Sequence, residues 1–413
     1  MRWWLLALGV WSAVWTVNAL VPRRGRFSLV PSFLAAWFTI ELAFHHLAGL
    51  LVLTAVLVAA GALDGWAGWL GLGTALGSAA GLAVLGLRSL RTTVGLRRNL
   101  EDLDTTGAPR YPRAQLLVPV AVRRREVQRT RDLPYAKAGG RVLKLDVYRP
   151  RNGGGGRPCV LQVHGGAWVL GDKREQGIPL LTHLAANGWV GFNANYRLSP
   201  HATFPDHLVD LKRAVAWIRE HAHEHGGDPG FVAVTGGSAG GHLAALVALT
   251  ANDPEYQPGF EQADTSVQAA VPFYGVYDFT NRFGTWDPWF VHEFLRKHVM
   301  KAFIEDEPEA YEKASPLSRL HPHAPPFLVV HGDGDTLAPV ADARSFVEAL
   351  RAVSRSPVLY AEMQGAQHAF EVFPSFRTAR VIEAVERFLH HVHEEHARGR
   401  RPTEAETADQ LTA

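Results

Sequence analysis

A serine stands among glycines in VTGGSAGGHLAAL at residues 234–246, where Gly236-Gly237-Ser238-Ala239-Gly240 fits the pattern G-x-S-x-G. The apolar run FVAV at 231–234 precedes it and a helical run follows, the strand-to-helix context in which such a serine is held up as a nucleophile. A serine hydroxyl is a poor nucleophile at neutral pH, so it needs a base, and the base needs a carboxylate to fix its tautomer. In the chain order expected of this motif the acid follows a later strand and the histidine comes near the end. FLVVHGDGD at 327–335 supplies a carboxylate turn and GAQHAF at 365–370 supplies the histidine. Asp335 lies 97 residues beyond Ser238, and His368 another 33 beyond Asp335. Ser238 is therefore expected as nucleophile, His368 as general base and then acid, and Asp335 as the carboxylate that steadies the imidazole. Asp333 is the rival acid, or else a turn-former bonded to its own loop. A tetrahedral intermediate also needs N–H donors for its oxyanion, and the small-residue turn in VHGGAW at 163–168 offers Gly165, Gly166 and Ala167, joined by Ala239 after the nucleophile.

Other reactive side chains have competing structural roles. His164 braces its loop, and His242 either packs behind the serine or lines a pocket. Trp168 and Tyr274 are pocket walls or core residues. His390, His391, His393 and His396 form either a metal site or a solvated helix end. Cys159, the single cysteine, lies in an apolar run as a packing residue and leaves no partner for an internal disulfide. No metal or cofactor is expected. With 42 Lys and Arg against 40 acids, the net charge of +2 gives no argument for a nucleic-acid partner.

The elements that must position these residues alternate. An antiparallel hairpin is expected at 127–137 and 141–148, followed by short apolar runs at 158–163, 189–194, 231–234, 269–274, 327–330 and 358–363, suited to strands buried on both faces. Helical periods fall at 207–221, 238–250 and 377–391. The rhythm is that of an α/β fold with a mostly parallel sheet. Residues 280–325 break it with aromatics among charges, and are expected as a lid insertion over the carboxyl ends of the strands. The resulting division is a transmembrane helical segment at 1–91, a basic linker at 92–126, a catalytic domain at 127–397 and a disordered polar tail at 398–413.

The first ninety residues have a different composition. Uncharged runs of 19, 22 and 22 residues at 3–21, 42–63 and 66–87 can each cross a hydrocarbon core as a helix. The apolar stretch 27–41 extends the second span, lies as an interfacial helix, or forms a fourth, shorter insertion. A cleaved signal peptide, with Val17-Asn18-Ala19 at its end, is the rival for the first run. Arg23, Arg24 and Arg26 lie between the first two spans, and Arg88, Arg91, Arg97 and Arg98 follow the third. Their placement puts that loop and everything after Arg88 in the cytoplasm, with Met1 outside. From Arg88 to Arg131 there are eleven arginines against four acids, a belt suited to an anionic leaflet. Gly73, Gly77 and Gly81 form a small-residue stripe for helix packing, including self-association. Glu41, His45 and His46 are ionisable groups near membrane depth, either functional or placed at the cheap edge of a span.

HGGAW, NYRLSP at 195–200, GGSAGG, HGDGDTLAP and GAQHAF together resemble the hormone-sensitive-lipase-like carboxylesterase branch of the α/β-hydrolase superfamily, and bacterial membrane-anchored carboxylesterases in particular. The resemblance covers residues 127–391 and leaves the membrane segment outside. It implies an eight-stranded hydrolase sheet, no metal, and hydrolysis of carboxylic esters with short to medium acyl chains. Two positions depart from the family pattern: HGGG is HGGA here, and Gly237 stands where an acid is common in GDSAGG. An amidase or formamidase of the same fold, a non-catalytic binding module, and a channel or transporter role for the membrane segment are the competing readings.

Overall fold

The computed structural model describes residues 1–23, 25, 27–98, 109–119 and 122–399, and of 92–98 the backbone alone. The tail at 400–413, the linker residues 99–108, 120 and 121, Arg24, Arg26 and the side chains of Arg97 and Arg98 lie outside the described residues.

The uncharged N-terminal runs form helices because an apolar chain segment satisfies its backbone hydrogen bonds internally in that conformation. They are α1 (Arg2–Leu20), α2 (Leu29–Glu41), α3 (Ala43–Ala59) and α4 (Trp66–Arg98). By length and composition α1 and α4 could each cross a membrane, and α2 and α3 pass the same test only as a pair, bent by 81°. The stretch that could have extended the second span is thus a separate helix. Helices α1 and α4 run parallel and touch closely: a Cβ on Gly9 would stand 2.5 Å from Gly71 O, one on Gly71 2.6 Å from Leu6 N, and one on Gly81 2.5 Å from the Thr16 methyl. Ser78 Oγ is within 2.6 Å of Ser12 Oγ and 2.7 Å of Thr16 Oγ1, joining the two helices by polar contacts. Of the glycine stripe, Gly81 serves this internal contact, whereas Gly73 and Gly77 face open space.

After a short helix, α5 (Arg113–Leu117), the chain enters a sheet of eight strands: β1 (Val127–Ala138), β2 (Arg141–Pro150), β3 (Arg157–Val163), β4 (Val190–Ala194), β5 (Gly227–Gly237), β6 (Ala269–Phe273), β7 (Phe327–Gly332) and β8 (Val358–Met363). Their order is β1-β2-β4-β3-β5-β6-β7-β8, antiparallel where β2 meets β1 and β4 and parallel elsewhere. The inner strands are continuous apolar runs because helices cover both faces. Helices α6 (Ile178–Ala186), α7 (Asp206–His221), α8 (Ala239–Leu249), α9 (Pro308–Ala314), α10 (Val340–Val353) and α11 (Phe376–Gly399) complete the layers. One core lies between the sheet and α7, α8 and α10, the other between the sheet and α6 and α11. Helix α8 is buried along its whole length, and each of Leu243, Leu246 and Val247 contributes roughly 1.5–3 kcal/mol by leaving water. Between β6 and β7 the chain forms no strand; a π-helix at Phe290–Met300 and then α9 occupy the stretch.

Candidate active site

Strand β5 passes into α8 through Ser238, whose backbone stands at φ 58° and ψ −123°. A non-glycine residue held there costs on the order of 1–3 kcal/mol and persists only when its surroundings enforce it. Here they do. A Cβ on Gly236 would lie 2.5 Å from Gly240 O, and one on Gly240 would lie 2.2 Å from Val163 O, so the turn closes only with bare backbone at both positions. Ser238 N–H donates to Phe273 O at 3.0 Å, and Ser238 O accepts from His242 N at 3.0 Å. The serine side chain makes no capping bond to its own helix and is half-buried, while its neighbours in the turn are buried.

His368, on the loop after β8, donates through Nδ1–H to Asp335 Oδ2 at 2.7 Å. Asp335 closes the turn after β7, and its Oδ1 accepts from the N–H groups of Leu337 and Ala338, both at 2.8 Å. Burial alone would raise the Asp335 pKa, but His368 and the hydrogen bonds from His331 and His368 outweigh it and hold the carboxyl well below the usual range. The group therefore stays ionised beside the imidazole. Asp333 Oδ1 instead accepts from Gly365 N at 2.6 Å, tying its own turn to the histidine loop.

The loop after β3 lies against the elbow. A Cβ on Gly165 would stand 3.0 Å from Ser238 Cβ and 2.6 Å from Gly237 O. The Gly165 N–H is already engaged, donating to Gln176 Oε1 at 2.7 Å, so this amide is not available to an oxyanion. Gly166 is at φ 120° and Ala167 at φ 52°, so the alanine in place of the third glycine sits in a left-handed conformation. At the start of α8 the Ala239 amide has no acceptor within its own helix. His164 donates from Nδ1 to Gly165 O at 2.8 Å and stacks on Tyr196 at 4.5 Å, bracing the loop as a base that burial keeps neutral.

Trp168 and His242 are packed behind the elbow, not at an open wall. Trp168 Nε1–H donates to His242 Nδ1 at 3.2 Å, His242 Nε2–H donates to Ala314 O at 2.7 Å, and Phe279 stacks on the imidazole at 4.5 Å. Tyr274 lies closer to the chemistry: its ring is 4.5 Å from that of His368, and its hydroxyl donates to the buried Glu371 carboxylate. A Cβ on Gly237 would lie 2.6 Å from the Tyr274 hydroxyl, so the tyrosine occupies the space an acidic side chain would need. Burial and then the Glu371 carboxylate push the Tyr274 phenol far above its usual range, and it remains a donor.

Of the other histidines, His393 and His396 lie edge-on to Phe231 at 4.9 and 5.4 Å, and His390 pairs with Glu394 at 3.1 Å. Among the described residues no cluster of three or more His, Cys, Asp or Glu could hold a metal ion. Burial raises the Cys159 thiol to about 12, which keeps it protonated and inert.

Sequence patterns gave no warning of Gln176, Tyr274 with Glu371, or the helix that covers His368. Phe33 of α2 stands edge-on to the His368 ring at 6.1 Å, and Trp37 Nε1–H donates to Ala369 O at 2.7 Å. The one available signal was Glu41, a carboxylate in an apolar run.

The fold and the strand-to-helix turn define an α/β-hydrolase. The BD-FAE family model matches residues 145–350. The probable carboxylic ester hydrolase LipM of Mycobacterium tuberculosis is 49% identical over 273 residues, covering 66% of this chain and 63% of that protein. The esterase LipQ of the same organism is 47% identical over 272 residues, covering 64% and 63%. The chain thus spans less than two thirds of the length of these curated relatives. Among solved structures, the propionate-bound thermophilic esterase Est2 of Thermogutta terrifontis is 27% identical with a TM-score of 0.55, covering 65% of this chain and 95% of that one. The matches to the α/β portion of the chain support the hormone-sensitive-lipase-like carboxylesterase branch of the superfamily.

Proposed function

We propose that this chain is a membrane-anchored serine carboxylesterase that cleaves short- to medium-chain carboxylic esters through an acyl-enzyme. Ser238 Oγ attacks the ester carbonyl as His368 takes its proton, and Asp335 holds the imidazole and stabilises the imidazolium. The oxyanion is met by the amides of Gly166, Ala167 and Ala239, the donor set that remains once Gln176 has engaged Gly165. His368 then protonates the departing alcohol, and water, deprotonated by the same imidazole, releases the acid. The observations that carry this reading are the 2.7 Å bond from His368 to an ionised Asp335 and the strained elbow conformation of Ser238. Names given to the relatives support the ester class, and the propionate held by the Thermogutta enzyme supports a short acyl chain.

Membrane attachment rests on α1, α4 and the bent α2–α3 pair. The catalytic domain is assigned to 127–397 and its lid to 280–325, joined by the basic linker at 92–126. The arginine asymmetry supports a cytoplasmic face for that domain, and protease access in intact cells tests it. The full chain should hydrolyse p-nitrophenyl acetate and butyrate, with rates falling steeply as the acyl chain lengthens, and should be labelled by a fluorophosphonate. Ser238→Ala should lose the label and lower kcat by roughly a millionfold. A folded wild-type chain that takes no label would sink the reading. An aryl formamide cleaved faster than the matching ester would replace it with an amidase.

A further inference from the structure

The apolar N-terminal segment was expected to anchor the hydrolase and to lie outside its chemistry. Helix α2, however, packs on the loop that carries His368 and holds it directly at two places, while Arg377, the ion-pair partner of Glu41, reaches a third. At the loop's middle, Trp37 Nε1–H donates at 2.7 Å to the carbonyl of Ala369, the residue directly after His368, which sits at φ 58°. At its end, Glu41 accepts from Ser375 Oγ at 2.8 Å and pairs with the Arg377 guanidinium. At its beginning, the same guanidinium donates to Gln364 O at 3.3 Å. Aromatic contacts fill the rest of the surface: Phe33 against His368 at 6.1 Å, Trp37 against Phe373 at 4.7 Å, and Phe38 against Phe373 at 6.0 Å.

Glu41 and Arg377 are 6% and 1% exposed, so each is buried as a charge and depends on the other. Two charges sealed from water keep a narrow geometry, because parting them leaves both uncompensated. The Ala369 carbonyl accepts from the Trp37 indole at 2.7 Å and from Val372 N–H at 3.3 Å, so the indole is the shorter of its two ties and the one that comes from outside the loop. Asp335 fixes one side of the imidazole, but the backbone that carries His368 is held from the other side by α2. The position of a general base matters steeply: a misplacement of about 1 Å can cost about a hundredfold in rate.

We propose that α2 is a working part of the active site, with Trp37 and Glu41 as positioning residues that keep His368 aligned between Asp335 and Ser238. The inference rests on the esterase reading. It makes the whole chain, and not the hydrolase portion alone, the catalytic unit.

The test uses the full chain in phospholipid vesicles with p-nitrophenyl acetate, a small soluble ester that needs no membrane to reach the enzyme. Fluorophosphonate labelling of the wild type first checks the esterase reading by itself; absence of labelling overturns that reading and this inference with it. Trp37→Phe keeps the ring and removes the donor, and Glu41→Gln keeps the size and removes the charge. Each should lower kcat roughly tenfold, as expected for the loss of one well-placed hydrogen bond or charge, while KM stays within about twofold. The exchange Glu41→Arg with Arg377→Glu restores the ion pair but not the bonds to Ser375 and Gln364, so it should recover part of the kcat that Glu41→Arg alone loses, a rescue that general destabilisation does not give. Should Glu41→Gln fail to fold, Trp37→Phe decides the matter. Wild-type kcat in a labelled, folded Trp37→Phe chain, or a rise in KM with kcat retained, overturns the inference and leaves the esterase standing.

Discussion

Ser238 is the proposed nucleophile at the scale of single residues, yet the glycines around it have different tasks. Gly236 and Gly240 let backbone approach backbone, whereas Gly237 makes room for Tyr274. An acid at position 237, common in the family pattern, meets the tyrosine hydroxyl 2.6 Å from where its Cβ would stand. Gly237→Asp should therefore push Tyr274 off both Glu371 and the face of His368, lowering kcat/KM for p-nitrophenyl butyrate by roughly 10- to 100-fold. Adding Tyr274→Phe in the same chain should recover part of the loss by relieving the clash. Equal activity of Gly237→Asp and wild type would show that the tyrosine can move without consequence. The Glu371 carboxyl, raised by burial with only part of that offset by the Tyr274 hydrogen bond, is a second buried acid in this neighbourhood, bonded to Tyr274 while Asp335 holds the histidine.

Elements make this turn possible by how closely they stack. Strand β3 ends beside the first turn of α8, and at Gly240 the separation leaves no space for even one carbon: a Cβ would lie 2.2 Å from Val163 O and 2.7 Å from His164 O. Both are backbone atoms of the strand end and loop that carry Gly166 and Ala167, so neither can swing aside like a side chain. Gly240→Ala should cost about 1–3 kcal/mol or more in thermal unfolding, and should reduce activity in whatever fraction remains folded, because the same shift separates the proposed oxyanion donors from Ser238. A variant with unchanged Tm and kcat would contradict the packing described. Much of this scale was legible beforehand. All eight strands lie where short apolar runs and one alternating hairpin place them, and α7, α8 and α11 follow the helical period. Helices α6 and α10 were not anticipated from their pattern, and a separate α2 was allowed by two of the three readings of an apolar stretch. Periodicity shows that a segment is apolar, but not where a bend divides it.

The whole molecule responds to pH through buried groups other than Ser238, Asp335 and His368. Burial lowers His207 to about 4 and His242 to about 3, so both are neutral in the fold and protonate in the unfolded chain. Each therefore contributes stability that is full above about pH 6.5 and is lost as pH falls below it, about 2 kcal/mol apiece at pH 5. Asp342 runs the other way. Burial raises it to about 7, so between its ordinary pKa and about 7 the folded state holds the extra proton and gains stability as pH falls, about 3 kcal/mol at pH 5. The three nearly cancel, so this set should leave the wild type only about 1 kcal/mol weaker at pH 5 than at pH 7.5. Asp342→Asn keeps an acceptor for Tyr277 N but removes the titration, and should show a markedly steeper acid loss in denaturant unfolding. A shallower loss in that variant would reverse the assignment.

The sequence by itself determined the things that depend on neighbours along the chain: the glycine-flanked serine between a strand and a helix, the order of serine, acid and histidine, and the long uncharged runs. Local sterics and hydrophobic period act over a few residues, and so they are written in a few residues. What only the tertiary structure decided is which groups meet across long separations. Gln176 engages the amide of Gly165, Tyr274 takes the space beside Gly237, and Glu41 finds Arg377 across 336 positions. Such contacts follow from how helices and strands settle against one another. A buried carboxylate or an unclaimed N–H shows its partner only when that packing is complete.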